Sequence, residues 1–93
     1  MQEWARVNVH LREVAATDRQ VLLRYNDAAA PELEVLVAAE QSCCGPAGVS
    51  FTFVRREKEV SVIVREAKPG LPAKTVLQAF AGMRGSPDGG ANG

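Results

Sequence analysis

The sequence has few of the residues that carry most enzyme chemistry. Its 93 residues include one histidine, two cysteines, one tryptophan and one tyrosine. Nothing in the sequence places His10, the lone histidine, beside a nucleophile as Ser-His-Asp or Cys-His chemistry requires. No paired carboxylates with a defensible spacing and no phosphate loop of the GxxxxGK[ST] form are present. A thiol-dependent enzyme is therefore the function that the sequence favours least.

An excess of charge and a long apolar run are missing as well. Eleven Lys and Arg balance eleven Asp and Glu, so the chain has no basic surplus with which to hold a phosphate backbone. The longest aliphatic run, residues 35–39, is far shorter than the ~20 residues of a transmembrane helix. Residues 1–10 contain charges but no apolar stretch of the signal-peptide type. We expect a soluble cytoplasmic protein that binds neither nucleic acid nor membranes.

The length and the end of the sequence predict the domain organisation. A chain of 93 residues suits a single domain with one core. We assign residues 1–84 to this domain. Residues 85–93 (GSPDGGANG) have no apolar anchor, which predicts a disordered tail.

Alternating patterns predict a first hairpin. Residues 4–14 place Val7 and Leu11 on one face and Trp4 on the other, a period of two that is typical of a half-buried strand. The pattern resumes at residues 20–25 after a short polar break. Two such runs around a break predict an antiparallel pair.

A helix is predicted after this hairpin. Pro31 suits a first helical turn, and apolar residues then recur with helical spacing as far as Cys44. We expect Gly45 to end the helix in the left-handed conformation, since Pro46 cannot continue it.

The second half of the sequence repeats the same order. Residues 49–54 and 59–65 alternate around a charged turn, and a second helix is predicted from Pro72 to Gly85. A shift of 41 residues aligns residues 20–38 with 61–79 at six identities in nineteen positions. We therefore predict an α+β fold of order ββαββα, with a four-stranded antiparallel sheet, two helices on one face and an internal pseudo-duplication.

Cys43 and Cys44 are the one local feature that indicates chemistry, and they have two interpretations. They lie seven residues after Leu36 and Val37, so both continue the apolar stripe of the predicted helix. In the first interpretation they are buried, inert thiols of a structural or protein-interaction domain, which forms a homodimer through its open sheet face.

The second interpretation is that the two thiols bind a soft ion or sense thiol oxidation. Hg(II), Cu(I) and As(III) prefer sulfur ligands, and Glu40 would be an auxiliary ligand. Zn(II) needs four ligands, which a two-fold dimer supplies by repeating each thiol. Adjacent Cα atoms lie ~3.8 Å apart, closer than the ~4.4–6.8 Å of ordinary disulfides, so Cys43–Cys44 does not serve as a stabilising disulfide. The negative end of the helix dipole also disfavours a reactive thiolate.

The segment around the cysteines resembles a group of small bacterial proteins. In that group a helix ends in an acid-x-x-Cys-Cys-Pro-Phe pattern, and the next strand carries aromatic residues. The corresponding positions here are Glu40, Cys43, Cys44, Phe51 and Phe53, followed by Gly70, Ala73, Lys74 and Leu77 at the start of the second helix. The present sequence differs in having Gly-Pro-Ala-Gly where the group continues with Pro-Phe.

The adjacent cysteines are also similar to those of bacterial mercury-transport proteins. In those proteins the pair lies in membrane helices, so the likeness extends only to the type of ligand. What it implies for Cys43 and Cys44 is an affinity for mercury-like ions.

Overall fold

The computed structural model describes residues 2–83 of the chain. Within this range, three helices and four strands follow one another in the order α1, β1, β2, α2, β3, β4, α3. Their bounds are α1 Gln2–Val7, β1 Leu11–Ala16, β2 Gln20–Asn26, α2 Ala30–Cys44, β3 Val49–Arg55, β4 Glu59–Glu66 and α3 Leu71–Ala81. Short 3₁₀ turns precede β1, precede α2 and follow α2.

The four strands form one antiparallel sheet in the order β1-β2-β4-β3. Each hairpin pairs its own two strands, and the inner strands β2 and β4 join the two hairpins. The predicted α+β fold, with two ββα units, is confirmed. The first ββα unit is preceded by α1, a helix that the strand pattern of residues 4–14 did not predict.

One face of the sheet forms the core with the helices. On β2 the residues Val21, Leu23 and Tyr25 are fully buried, and the residues between them are only partly buried. Because side chains alternate along a strand, this pattern gives the sheet a covered face and an open face. The buried set on the covered face also includes Val60, Val62 and Val64 of β4, Leu33, Leu36 and Val37 of α2, and Ala73, Leu77 and Phe80 of α3.

The pairing of β2 with β4 follows the 41-residue repeat. Val21 pairs with Val64, and their repeat equivalents Val62 and Leu23 pair with each other. A local two-fold axis therefore passes through the pair formed by Leu22 and Ile63. The helices α2 and α3 also begin at equivalent positions, Ala30 and Leu71. Both observations agree with the predicted pseudo-duplication.

The strand prediction for residues 4–14 was wrong in its first half. Residues 2–7 form α1, a 3₁₀ turn follows, and β1 begins at Leu11. Trp4, predicted on the open face, is 1% exposed, whereas Val9 is half-exposed. The segment fits both periods, because Trp4, Val7 and Leu11 also have the spacing of a helix face. Its Gln, Glu, Ala and Arg residues favour helix, and alternation by itself does not register that preference.

The expected conformation of Gly45 was also wrong. Gly45 has φ −52°, and the chain continues into a 3₁₀ turn over Gly45–Ala47. The left-handed residue is Gly48, with φ +94°, where the turn ends and β3 begins. The predicted end of the second helix at Gly85 and the predicted disordered tail lie outside the described residues. Within them, α3 ends at Ala81.

Candidate thiol site

Three chemically active side chains share the last turn of α2. Cys43 and Cys44 follow Glu40 by three and four residues, and residues at these spacings lie next to one another on a helix surface. The helix reaches Cys44 because the backbone N–H of Gly45 still donates to the carbonyl of Gln41. The acid-x-x-Cys-Cys spacing thus places one carboxylate beside two thiols.

The carboxylate of Glu40 accepts two hydrogen bonds, one on each oxygen. The thiol of Cys44 donates to Oε1 over a distance of 3.3 Å. The indole Nε1–H of Trp4 donates to Oε2 over a distance of 3.0 Å. The carboxylate therefore lies between a thiol of its own helix and a tryptophan from α1.

The two thiols differ in their surroundings. Cys43 is exposed, whereas Cys44 is partly buried and packs against the core. Burial raises the pKa of the Cys44 thiol to about 12, and the hydrogen bond to Glu40 and the neighbouring Cys43 act in the same direction. At neutral pH, Cys44 is therefore a protonated hydrogen-bond donor.

The end of α2 is attached to β3 by Gln41. Its side-chain Oε1 accepts from the backbone N–H of Phe51 at 2.8 Å, and its Nε2 donates to the carbonyl of Val49 at 3.4 Å. These bonds fix the helix end to the start of the strand. The thiols consequently sit on an anchored helix end beside the loop Gly45–Gly48.

The structure joins Glu40 and Cys44 by a hydrogen bond, and Cys43 lies on the same turn of α2. His10 takes no part in the hydrogen bonds of Glu40 and Cys44. Across residues 2–83, no group of three or more His, Cys, Asp and Glu side chains is arranged to hold a metal ion. Trp4 is the member of the site that the sequence pattern did not predict. The helical spacing of Trp4, Val7 and Leu11 was the sequence signal from which a buried Trp4 could have been predicted.

The difference between the thiols predicts a difference in reactivity. We expect iodoacetamide at pH 8 to modify Cys43 first and Cys44 at least about a hundredfold more slowly than an unperturbed cysteine, because the raised pKa leaves little thiolate. The rate at Cys44 should increase about tenfold per pH unit between pH 8 and 11. Peptide mapping by mass spectrometry measures both rates. In denaturant the two rates should converge; equal rates in the folded protein would contradict the raised pKa of Cys44.

The open face of the sheet carries a second feature. Leu22, Ile63 and Val54 are partly buried there and line a depression of about 310 Å³. Beside it, Arg24 holds Glu59 through Nε and Nη2 at 3.1 and 2.9 Å, and Glu13 through Nη1 at 2.8 Å. The hydrogen bond from Arg24 lowers the pKa of the Glu59 carboxyl. The face thus combines an apolar centre with charges of both signs.

None of the helices between residues 2 and 83 has the length and apolar character needed to cross a membrane. Comparison with protein-family models, with curated proteins and with solved structures finds no match to this chain. The chemistry of the site is therefore inferred from its own residues.

Proposed function

We propose that this protein is a small intracellular binding module that captures a soft metal ion, Hg(II) or Cu(I), between the thiols of Cys43 and Cys44. The observation that carries the proposal is the grouping of two thiols and one carboxylate on a single helix turn, with one thiol exposed and the other hydrogen-bonded to the carboxylate. Soft cations prefer sulfur over oxygen and nitrogen. The exposed Cys43 receives the ion, and Cys44 closes the site.

The protonated state of Cys44 does not prevent capture. A thiophilic ion displaces the thiol protons itself, so a raised pKa weakens binding without forbidding it. For Hg(II), two S–H bonds break, two S–Hg bonds form and two protons are released. Glu40 lies at 3.3 Å from the Cys44 sulfur and accepts that proton first on its way to solvent.

The same features favour ion capture over the other thiol functions. Redox-sensing and catalytic cysteines have lowered pKa values, whereas burial raises the pKa of Cys44, so Cys44 itself is poorly suited to be a reactive thiolate. Zn(II) requires four ligands, and one chain offers two sulfurs and the auxiliary Glu40. The cytoplasm, where thiols stay reduced, is the compartment that suits such a site.

Native mass spectrometry tests the proposal. With one equivalent of Hg(II) we expect one ion per chain, at a mass equal to the protein plus mercury minus two protons. Zn(II) at the same concentration should give no stable adduct. The proposal fails if Hg(II) gives no adduct, or if the adduct persists unchanged after both thiols have been alkylated in denaturant and the protein refolded.

A second candidate function, self-association, rests on the open sheet face. Its apolar centre is formed by Leu22, Ile63 and Val54, and Arg24 and Glu59 lie beside it. A second copy related by a two-fold axis meets this surface with the same apolar centre and with charges of both signs. Such a homodimer would make the protein an interaction domain.

Sedimentation equilibrium tests this candidate. We expect a fraction of the protein at about 100 μM to sediment at twice the 10.0 kDa chain mass, and we expect Ile63→Glu to abolish that fraction, because it buries a charge against an apolar surface. Val35→Glu is the control, since Val35 is exposed on α2, away from the open face. A wild-type chain that stays monomeric at millimolar concentration would rule the homodimer out.

A further inference from the structure

We infer that Trp4 is a positioning residue of the thiol site, whose indole N–H holds one oxygen of the Glu40 carboxylate so that the other faces the Cys44 sulfur, a ligand of the ion. This inference rests on the proposed ion capture and adds to it a residue outside α2. It assigns a role to α1, the helix that the strand pattern of the sequence concealed.

The two oxygens of Glu40 have separate partners. Oε2 accepts from the indole of Trp4 at 3.0 Å, and Oε1 accepts from the thiol of Cys44 at 3.3 Å. A carboxylate with no second partner rotates about its last side-chain bond, since that torsion is broad. The indole removes this freedom and directs Oε1 to the sulfur.

The core holds the indole itself in place. Trp4 is 1% exposed, and its ring packs edge-on against Phe80 with centroids 5.1 Å apart and an interplanar angle of 87°. The helix that carries Trp4 is anchored by the buried Val7. A buried hydrogen bond from the Tyr25 hydroxyl to the side chain of Asn8, at 2.6 Å, fixes the chain just after it. The direction of the N–H is therefore set by the packing of α1 on the core.

Ion capture changes one of the two bonds of Glu40 and leaves the other. When an ion replaces the Cys44 proton, Oε1 loses its donor and faces a positive charge. Oε2 stays with Trp4, so Oε1 keeps its place beside the Cys44 sulfur, outside the two sulfur ligands of the ion. Outer-shell partners of this kind are typically worth about 10–100-fold in metal affinity.

The test uses Cu(I) as the probe, titrated against a chromophoric Cu(I) chelator. We expect Trp4→Phe, which keeps an aromatic ring but removes the N–H, to bind Cu(I) about tenfold more weakly. Glu40→Gln should lose a similar factor or more. The double variant should lose no more than Glu40→Gln alone, because Trp4 acts only through Glu40.

A packing control separates this role from a purely structural one. Val21→Ala leaves a cavity in the core at the end of β2 opposite Tyr25 and keeps Trp4, Phe80 and Glu40, so it should lower the Tm while keeping the Cu(I) affinity within about twofold. In NMR spectra of the wild type, Cu(I) should shift the indole N–H resonance of Trp4, and the shift should vanish in Glu40→Gln.

The outcomes distinguish the inference from the proposed function. If Trp4→Phe binds Cu(I) as the wild type does, or if Val21→Ala loses as much affinity as Trp4→Phe, Trp4 has no positioning role and the ion site stands. If the wild type fails to bind Cu(I) and Hg(II), the proposed function fails, whatever the Trp4 variants do.

Discussion

Replacing both thiols, in Cys43→Ser/Cys44→Ser, is expected to lower the affinity for Hg(II) and Cu(I) by at least about a thousandfold, because serine hydroxyls are poor ligands for soft cations. The free energy of unfolding should change by less than about 2 kcal/mol, since Cys43 is exposed and Cys44 is only partly buried. Competition titration and urea unfolding measure the two effects.

Single variants and a neighbour complete the comparison. Cys43→Ser and Cys44→Ser should each lose most of the affinity, because both sulfurs bind the same ion. Ser42→Ala, at an exposed position of the same turn, should bind as the wild type does. A double variant that keeps its affinity would refute the ion site. One that instead loses several kcal/mol of stability would support the alternative in which the thiols only fill the core.

Gly48→Ala is expected to destabilise the fold by about 3 kcal/mol. Gly48 has φ +94°, which side chains with a Cβ rarely adopt. A Cβ at this position would also lie 2.7 Å from the carbonyl oxygen of Lys68 and 2.9 Å from its Cβ. Because the carbonyl of Gly48 accepts from the backbone N–H groups of Ala67 and Lys68, the loop cannot move away without losing these bonds. For a domain of this size, Tm should decrease by about 12 °C or more.

Gly82→Ala provides the matched control for this glycine. Gly82 has φ −87°, and within the described residues the nearest contact of a Cβ there, apart from its chain neighbours, would be the carbonyl oxygen of Gln78 at 3.6 Å. We expect its Tm to change by no more than a few degrees, as for an alanine at a compatible position. Equal decreases in Tm for the two substitutions would contradict the claim that the positive φ of Gly48 requires glycine.

The sequence predicted most of the sheet because its strands alternate strongly. β2 buries every second residue, and β4 buries the alternating valines Val60, Val62 and Val64 together with Ser61. The repeat between the two strands also predicts their register through Leu22 and Ile63. The helix α2 was predicted from Pro31 and its apolar stripe, and its end at Cys44 is observed. These features are local, so a pattern along the chain is enough to find them.

The parts that were missed depend on contacts between distant residues. The sequence of residues 2–10 fits both the strand period and the helix period. Helix α1 is favoured by contacts of Trp4 with distant residues, namely its packing against Phe80 and its hydrogen bond to Glu40, 36 residues away. In the loop Gly45–Gly48, both glycines are suited to a positive φ. Because a 3₁₀ turn occupies Gly45–Ala47, the positive φ falls on Gly48.

The sequence suggested Glu40, Cys43 and Cys44 as candidate site residues, and their role stays a prediction; their arrangement was not predicted. The spacing of Glu40, Cys43 and Cys44 on a helix predicts that they are neighbours. It does not predict that Cys44 is the partly buried, protonated thiol, nor that the second oxygen of Glu40 is held by Trp4. Both properties come from the way α1 and the core cover one side of the turn.

X-ray absorption spectroscopy of the Hg(II)-loaded protein tests the central claim most directly, because it counts the atoms bound to the ion. We expect two sulfur ligands per mercury in the wild type, with at most one further oxygen from Glu40. A shell made only of nitrogen and oxygen would contradict the claim that Cys43 and Cys44 capture the ion. A shell of four sulfurs would contradict the single-chain site and indicate an ion shared between two copies.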